Sequence, residues 1–98
     1  MVLRICLAGA TGHVGRELAT AILAAKDLEL RAAVGRRHAG RALGEVIGDP
    51  GAKLKISATV AEALAGSSCQ VLIDYTRPEA VKENVRTAIA AGCHAVIG

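Results

Sequence analysis

Two signatures alternate along the chain: short, nearly continuous apolar runs, and longer stretches with apolar residues at helical spacing. Residues 2–8 (VLRICLA) predict a strand that ends at Gly9. Over residues 13–25, Val14, Leu18, Ala21, Ile22 and Ala25 recur at the spacing of an amphipathic helix. Residues 28–34 predict a second strand, stopped by Gly35. Residues 36–53 hold four glycines and Pro50, which predicts loop with at most a short helix over 42–47. Residues 54–56 read as a short strand. Thr59 and Glu62 then have the spacing of a capping box, opening a helix that ends near Gly66. Residues 69–74 (CQVLID) predict a strand with little alternation, as expected where both sheet faces are covered. Pro78 suits the first turn of a helix whose face is Val81, Val85, Ala88 and Ile89, with Gly92 as its stop. Residues 94–97 read as a last strand before Gly98.

The resulting order, β-α-β-(α)-β-α-β-α-β, implies an α/β fold with right-handed crossovers. We expect a doubly wound parallel sheet of about five strands, helices on both faces, truncated after the fifth strand. Ligands bind such sheets beyond the carboxyl ends of the strands. Those ends are Gly9, Gly35, Tyr75 and Gly98.

A chain of 98 residues allows one domain. With 52% hydrophobic and 21% charged residues it is too apolar for disorder. No apolar run approaches the roughly 20 residues of a membrane span, and no basic-then-apolar leader precedes the first strand, so a soluble, cytoplasmic protein is expected. The formal charge of +3 does not indicate nucleic acid: Phe and Trp are absent, so no stacking platform exists. The basic residues thicken only around Arg31, Arg36, Arg37 and Arg41, which suggests a local anion site. Cys6, Cys69 and Cys93 are an odd set with no C-x-x-C pair, and read as small buried hydrophobes in a reducing cytosol. They and the three scattered histidines support no metal site.

The chemistry gathers in two loops. In Gly9-Ala10-Thr11-Gly12-His13-Val14-Gly15 the glycines stand three apart, directly after a strand and at the start of a helix. Gly9 permits the tight turn, Gly12 lets the backbone approach a pyrophosphate, and Gly15 lets the helix pack close to the strand. The helix start offers unpaired N–H groups and a positive dipole end to that pyrophosphate. These residues predict dinucleotide binding. His13 serves through its backbone, and Arg16 either faces solvent or meets a phosphate. After the second strand, Gly35 offers no carboxylate to a ribose, while Arg36 and Arg37 suit a 2′-phosphate. Asp27 and Glu29 lie at the wrong edge of the sheet. NADPH is therefore expected to be preferred, with NADH usable.

Val71-Leu72-Ile73-Asp74-Tyr75-Thr76-Arg77-Pro78-Glu79 and the closing Ala95-Val96-Ile97-Gly98, with the first loop, resemble dihydrodipicolinate reductase (4-hydroxy-tetrahydrodipicolinate reductase) of diaminopimelate and lysine biosynthesis. The likeness spans the chain but matches only that family's N-terminal, Rossmann-type NAD(P)-binding domain. It implies that Gly9, Ala10, Thr11, Gly12, His13 and Val14 cradle the pyrophosphate. It implies that Gly35 occupies the ribose-ligand position, with Arg36 at the 2′-phosphate. Tyr75, Thr76 and Arg77 would line the nicotinamide side, and Gly98 would begin a segment touching cofactor and substrate. The position of Thr76 before a helix allows either a cap or a ligand. The chain departs from the family at Gly35, which weakens the ribose contact, and at His13, where an arginine is common. The family's histidine-rich catalytic motif, its lysine and the substrate domain are absent, so no catalytic residue is assigned and the chain alone is expected to be inactive. The implied full-length enzyme is an NAD(P)H-dependent oxidoreductase and a homotetramer. Two alternatives stand beside it: an atypical short-chain reductase domain, whose pattern lacks the Asp74-to-Pro78 turn, and a non-enzymatic dinucleotide-binding or redox-sensing module.

Overall fold

In the computed structural model, residues 2–98 are described. The elements run β1 (Leu3–Ala8), α1 (His13–Ala24), β2 (Leu28–Val34), α2 (Leu43–Ile47), β3 (Ile56–Ser57), α3 (Val60–Gly66), β4 (Val71–Asp74), α4 (Pro78–Ala90) and β5 (His94–Ile97). The strands form one sheet in the order β3-β2-β1-β4-β5, and every pairing within it is parallel. The chain runs outward from β1 through β2 to β3, then crosses back to β4 and on to β5. The switch therefore lies between β1 and β4, where the carboxyl ends of neighbouring strands diverge into different loops.

Alternation along β1 splits the core in two. Ile5 and Leu7 pack with Ala19, Ile22, Leu30 and Leu43 on the α1–α2 face. Cys6 and Ala8 pack with Val60, Ala63, Leu72 and Ala88 on the α3–α4 face. Residues on both sides of β1 are buried because helices cover both faces, the expected state of a parallel sheet. In β2 the ladder skips a residue: Ile5 pairs with Leu30 and Cys6 with Ala32, which leaves Arg31 as an exposed bulge paired to Glu29 at 2.9 Å.

Several expected boundaries and faces move. β3 is Ile56–Ser57 rather than 54–56, because Lys55 bridges antiparallel to Ala42 and only the next two residues reach β2. β4 begins at Val71, and Gln70 just before it closes a local pair with Arg4: its N–H donates to the Arg4 carbonyl at 2.8 Å and its side-chain oxygen takes the Arg4 N–H at 3.0 Å. The buried stripe of α1 is Gly15, Ala19 and Ile22, and Val14 is exposed; the glycine rotates that face onto the strand. On α4 Ile89 is also exposed, and of the expected face only Ala88 is fully buried. The capping box at α3 forms with a shift. Thr59 Oγ1 accepts the Glu62 N–H at 3.1 Å, while Glu62 accepts from Ala58 rather than from Thr59 itself.

Candidate functional site

The turn from β1 into α1 is shaped by backbone contacts. Gly9 sits at φ 82°, and a Cβ there would lie 2.6 Å from the Tyr75 carbonyl oxygen. At Gly15 a Cβ would run into the Gly9 carbonyl. The N–H groups of Gly9 and Ala10 both reach the Val34 carbonyl, at 3.0 and 3.1 Å, which ties the turn to β2. Gly12 differs. A Cβ there would meet only the Gly9 carbonyl oxygen, at an ordinary 3.4 Å. The fold leaves room for a side chain at residue 12, so the space outside it is free for something else to approach. Gly12 is the N-cap of α1, and no side chain caps that helix. Among the described residues the N–H groups of Thr11, His13, Val14 and the buried Gly15 find no protein acceptor. Those of Thr11, His13 and Val14 stand with the positive end of the helix dipole at the exposed start of α1, the arrangement that receives a phosphate. Ala10 is buried, and His13 and Val14 turn their side chains outward, so all three can contribute only backbone there. Arg16 folds back: its Nε donates to the Thr11 carbonyl at 3.1 Å and braces the loop.

At the end of β2, Gly35 donates to the Ser57 carbonyl at 3.0 Å, and a Cβ on it would come within 2.8 Å of Thr11 Oγ1. A side chain at residue 35 would have to displace Thr11. Arg36 and Arg37 follow, exposed and, among the described residues, without a carboxylate within salt-bridge distance. Both line a cleft of about 950 Å³, together with Thr11, Thr59, Tyr75, Thr76 and Arg77. Glu83 and Asn84 of α4 form part of its wall.

The third turn, between β4 and α4, is held by side chains. Asp74 is fully buried, the sole buried charged residue among those described. Its carboxylate accepts the Thr76 N–H at 2.8 Å, the Thr76 hydroxyl, and Asn84 Nδ2 at 3.1 Å. The Thr76 hydroxyl thus does not cap α4, whose N-cap is Arg77 without a side-chain cap. Tyr75 joins β1 through its N–H to the Ala8 carbonyl at 3.0 Å, and its side chain is 40% exposed. Gly98 lies beneath that ring, where any Cβ would collide with it, and its N–H donates to the Asp74 carbonyl at 3.0 Å. Gly98 therefore supports Tyr75 instead of lining the cleft.

The cysteines stand apart from this site. Burial, reinforced by Cys69, Cys93 and Asp74, pushes the Cys6 thiol up to about 12, which keeps it protonated and inert at neutral pH. Among the described residues no cluster of His, Cys, Asp or Glu could hold a metal, and no helix is long and apolar enough to cross a membrane.

The sequence of residues 3–98 matches the family model described as dihydrodipicolinate reductase, N-terminus. The chain belongs to that family. Among curated relatives, a 4-hydroxy-tetrahydrodipicolinate reductase of Thermosynechococcus vestitus is 38% identical over 98 residues, covering 96% of this chain and 36% of its own length. The enzyme of the same name from Geobacillus kaustophilus is 36% identical, with 100% and 37% covered. The chain thus spans little more than a third of these reductases. In fold it is similar to a dipicolinate-bound dihydrodipicolinate reductase from Paenisporosarcina sp. TG-14, at TM-score 0.81, 23% identity, and coverage of 100% of this chain and 37% of that one. An aspartate semialdehyde dehydrogenase with NADP from Candida albicans reaches TM-score 0.80 at 15% identity, over 100% of this chain and 30% of its own. The Rossmann-type fold and the reductase family together support NAD(P)H binding.

The structure brings Thr11, Arg36, Tyr75, Thr76 and Arg77 onto one cleft. Gly9, Ala10, Gly12, His13, Val14, Gly35 and Gly98 do not line it: the first five belong to the β1–α1 turn that also carries Thr11, Gly35 packs against Thr11, and Gly98 packs against the Tyr75 ring. Asp74 and Asn84 were not singled out from the sequence as site residues. Both carry a signal: a carboxylate ends an apolar strand, and an amide interrupts the Val81–Val85–Ala88 stripe.

Proposed function

We propose that residues 1–98 form the NADPH-binding domain of a 4-hydroxy-tetrahydrodipicolinate reductase, whose substrate-holding residues belong to the remaining two thirds present in its relatives. The observation that carries this reading is the convergence of free loop amides and unpaired arginines at one end of the sheet. The N–H groups of Thr11, His13 and Val14 would hold the pyrophosphate, with Gly12 leaving room for its approach. Arg36, aided by Arg37, would grip the 2′-phosphate, since a guanidinium fork matches a phosphate's geometry. Gly35 leaves a ribose hydroxyl without a carboxylate partner, which favours NADPH over NADH. The turn of Tyr75, Thr76 and Arg77 would flank the nicotinamide end, with Gly98 setting the height of the Tyr75 ring. When bound, the cofactor supplies hydride for reduction of a heterocyclic dicarboxylate. The residues of this chain orient it and exclude water along the cleft. The full-length protein would be a cytoplasmic homotetramer, and the three free thiols agree with a reducing compartment.

Calorimetric titration of the 98-residue chain with NADPH and NADH tests the reading. Saturable binding that favours NADPH, with the preference narrowed by Arg36→Ala, is the expected result. A folded chain that binds neither dinucleotide overturns it; equal binding of both overturns the assignment of Arg36.

A further inference from the structure

Thr76 lines the cleft, yet its hydroxyl proton points the other way, into the protein. The acceptor is a carboxylate with no exposed surface, and that carboxylate takes the Thr76 N–H through the same oxygen. Its second oxygen takes Asn84 Nδ2 at 3.1 Å, and the same amide nitrogen lies 3.4 Å from Thr76 Oγ1. Every group around Asp74 in this cluster is a donor. A threonine hydroxyl has one proton and two lone pairs. With the proton committed to Asp74, only lone-pair capacity remains for anything in the cleft.

Resting on the cofactor reading above, we propose that Asp74 and Asn84 are positioning residues that orient Thr76 so that it meets the bound dinucleotide solely as a hydrogen-bond acceptor. Its ligand counterpart is then a donor, a hydroxyl or a carboxamide N–H, and never a phosphate oxygen. This divides the cleft chemically. The β1 and β2 loops present donors to the anionic parts of the cofactor, and the β4 turn presents an acceptor to a neutral donor group. Asn84 acts through Thr76: it donates to the carboxylate that holds the hydroxyl, lies within reach of the hydroxyl oxygen itself, and its side chain fixes α4 against the turn.

The test is reciprocal exchange, read as the NADPH dissociation constant of the folded 98-residue chain. Asn84→Asp sets a second carboxylate against Asp74 and removes the donor, so binding weakens roughly tenfold or more. Adding Asp74→Asn to Asn84→Asp restores an amide–carboxylate pair, and affinity returns to within about threefold of the parent. Thr76→Val, which keeps the shape without the hydroxyl, loses affinity, and Thr76→Ser retains it. These last two variants decide the matter if Asn84→Asp does not fold. Parent-like binding by Asn84→Asp, a double exchange no better than that single change, or parent-like binding by Thr76→Val overturns the positioning assignment while the cofactor reading stands. Failure of the unaltered, folded chain to bind NADPH overturns both.

Discussion

The two turns at the switch point solve one problem by opposite means. β1 and β4 are neighbours, and each hands its chain to a helix at the same edge of the sheet. The β1–α1 turn does it with almost no side chains: Gly9 takes a conformation L-residues avoid, Gly15 lets backbones touch, and the amides of α1 stay free. The β4–α4 turn closes itself with a buried carboxylate whose donors all come from within ten residues. The first turn leaves its amides outward and open; the second commits the N–H and hydroxyl of Thr76 inward to Asp74. α3 shows the ordinary outcome elsewhere, a helix start closed by its own threonine. A helix start that the protein has already capped has little left for an anion.

That contrast can be broken most violently at Gly15. Gly15→Ala drives a methyl into the Gly9 carbonyl, which no rotamer can relieve, and should cost about 3 kcal/mol or more in urea unfolding. A loss under about 1 kcal/mol would show that α1 can slide away from β1. Asp74→Ala attacks the second turn instead. It strands the Thr76 N–H and hydroxyl and the Asn84 amide, and about 2–3 kcal/mol should be lost. Thr59→Ala removes the single side-chain cap at α3 and should cost about 1 kcal/mol in the same unfolding measurement. The smallest stability change belongs to Gly12→Ala, about 0.5 kcal/mol, because the space is there and the loss is only that of alanine being a poorer cap than glycine. Its effect on NADPH binding should nevertheless be close to complete loss. A single methyl that spares the fold and removes the ligand would separate the two duties of the loop, and calorimetry beside thermal melts would show it.

Much of the architecture was legible because it rests on local pattern. Glycine spacing after an apolar run marked the first turn, and Pro78 and Gly92 bracketed α4. What escaped depends on neighbours distant in sequence. Glycine spacing placed Gly15 against the strand, but helical spacing also put Val14 on the buried face; that Val14 turns outward follows from the Gly9 carbonyl against which Gly15 packs. The length of β3 depends on Lys55 being taken by Ala42, and the pair just before β4 joins Gln70 to Arg4, 66 residues away. At the site, position could be assigned to Thr76 but its role could not. Cap and ligand looked equivalent until Asp74 was found buried beneath it and Asn84 opposite. The glycine loop was readable since its chemistry is backbone chemistry, and the side-chain cluster was not since it joins a strand to a helix face.

The bulge in β2 has a consequence for chain length. Leu30 and Ala32 pair with consecutive residues of β1, so Arg31 is surplus to the ladder. Excising it would let the strand run straight while Ala32, Ala33 and Val34 kept their partners and Gly35 its height above the sheet. Removing Ala32 instead would leave the same length but set Arg31 opposite Cys6, a charge inside the buried core. Proteins descended from a common ancestor of this domain can therefore differ by one codon at Arg31 and still present their arginines to the same cleft.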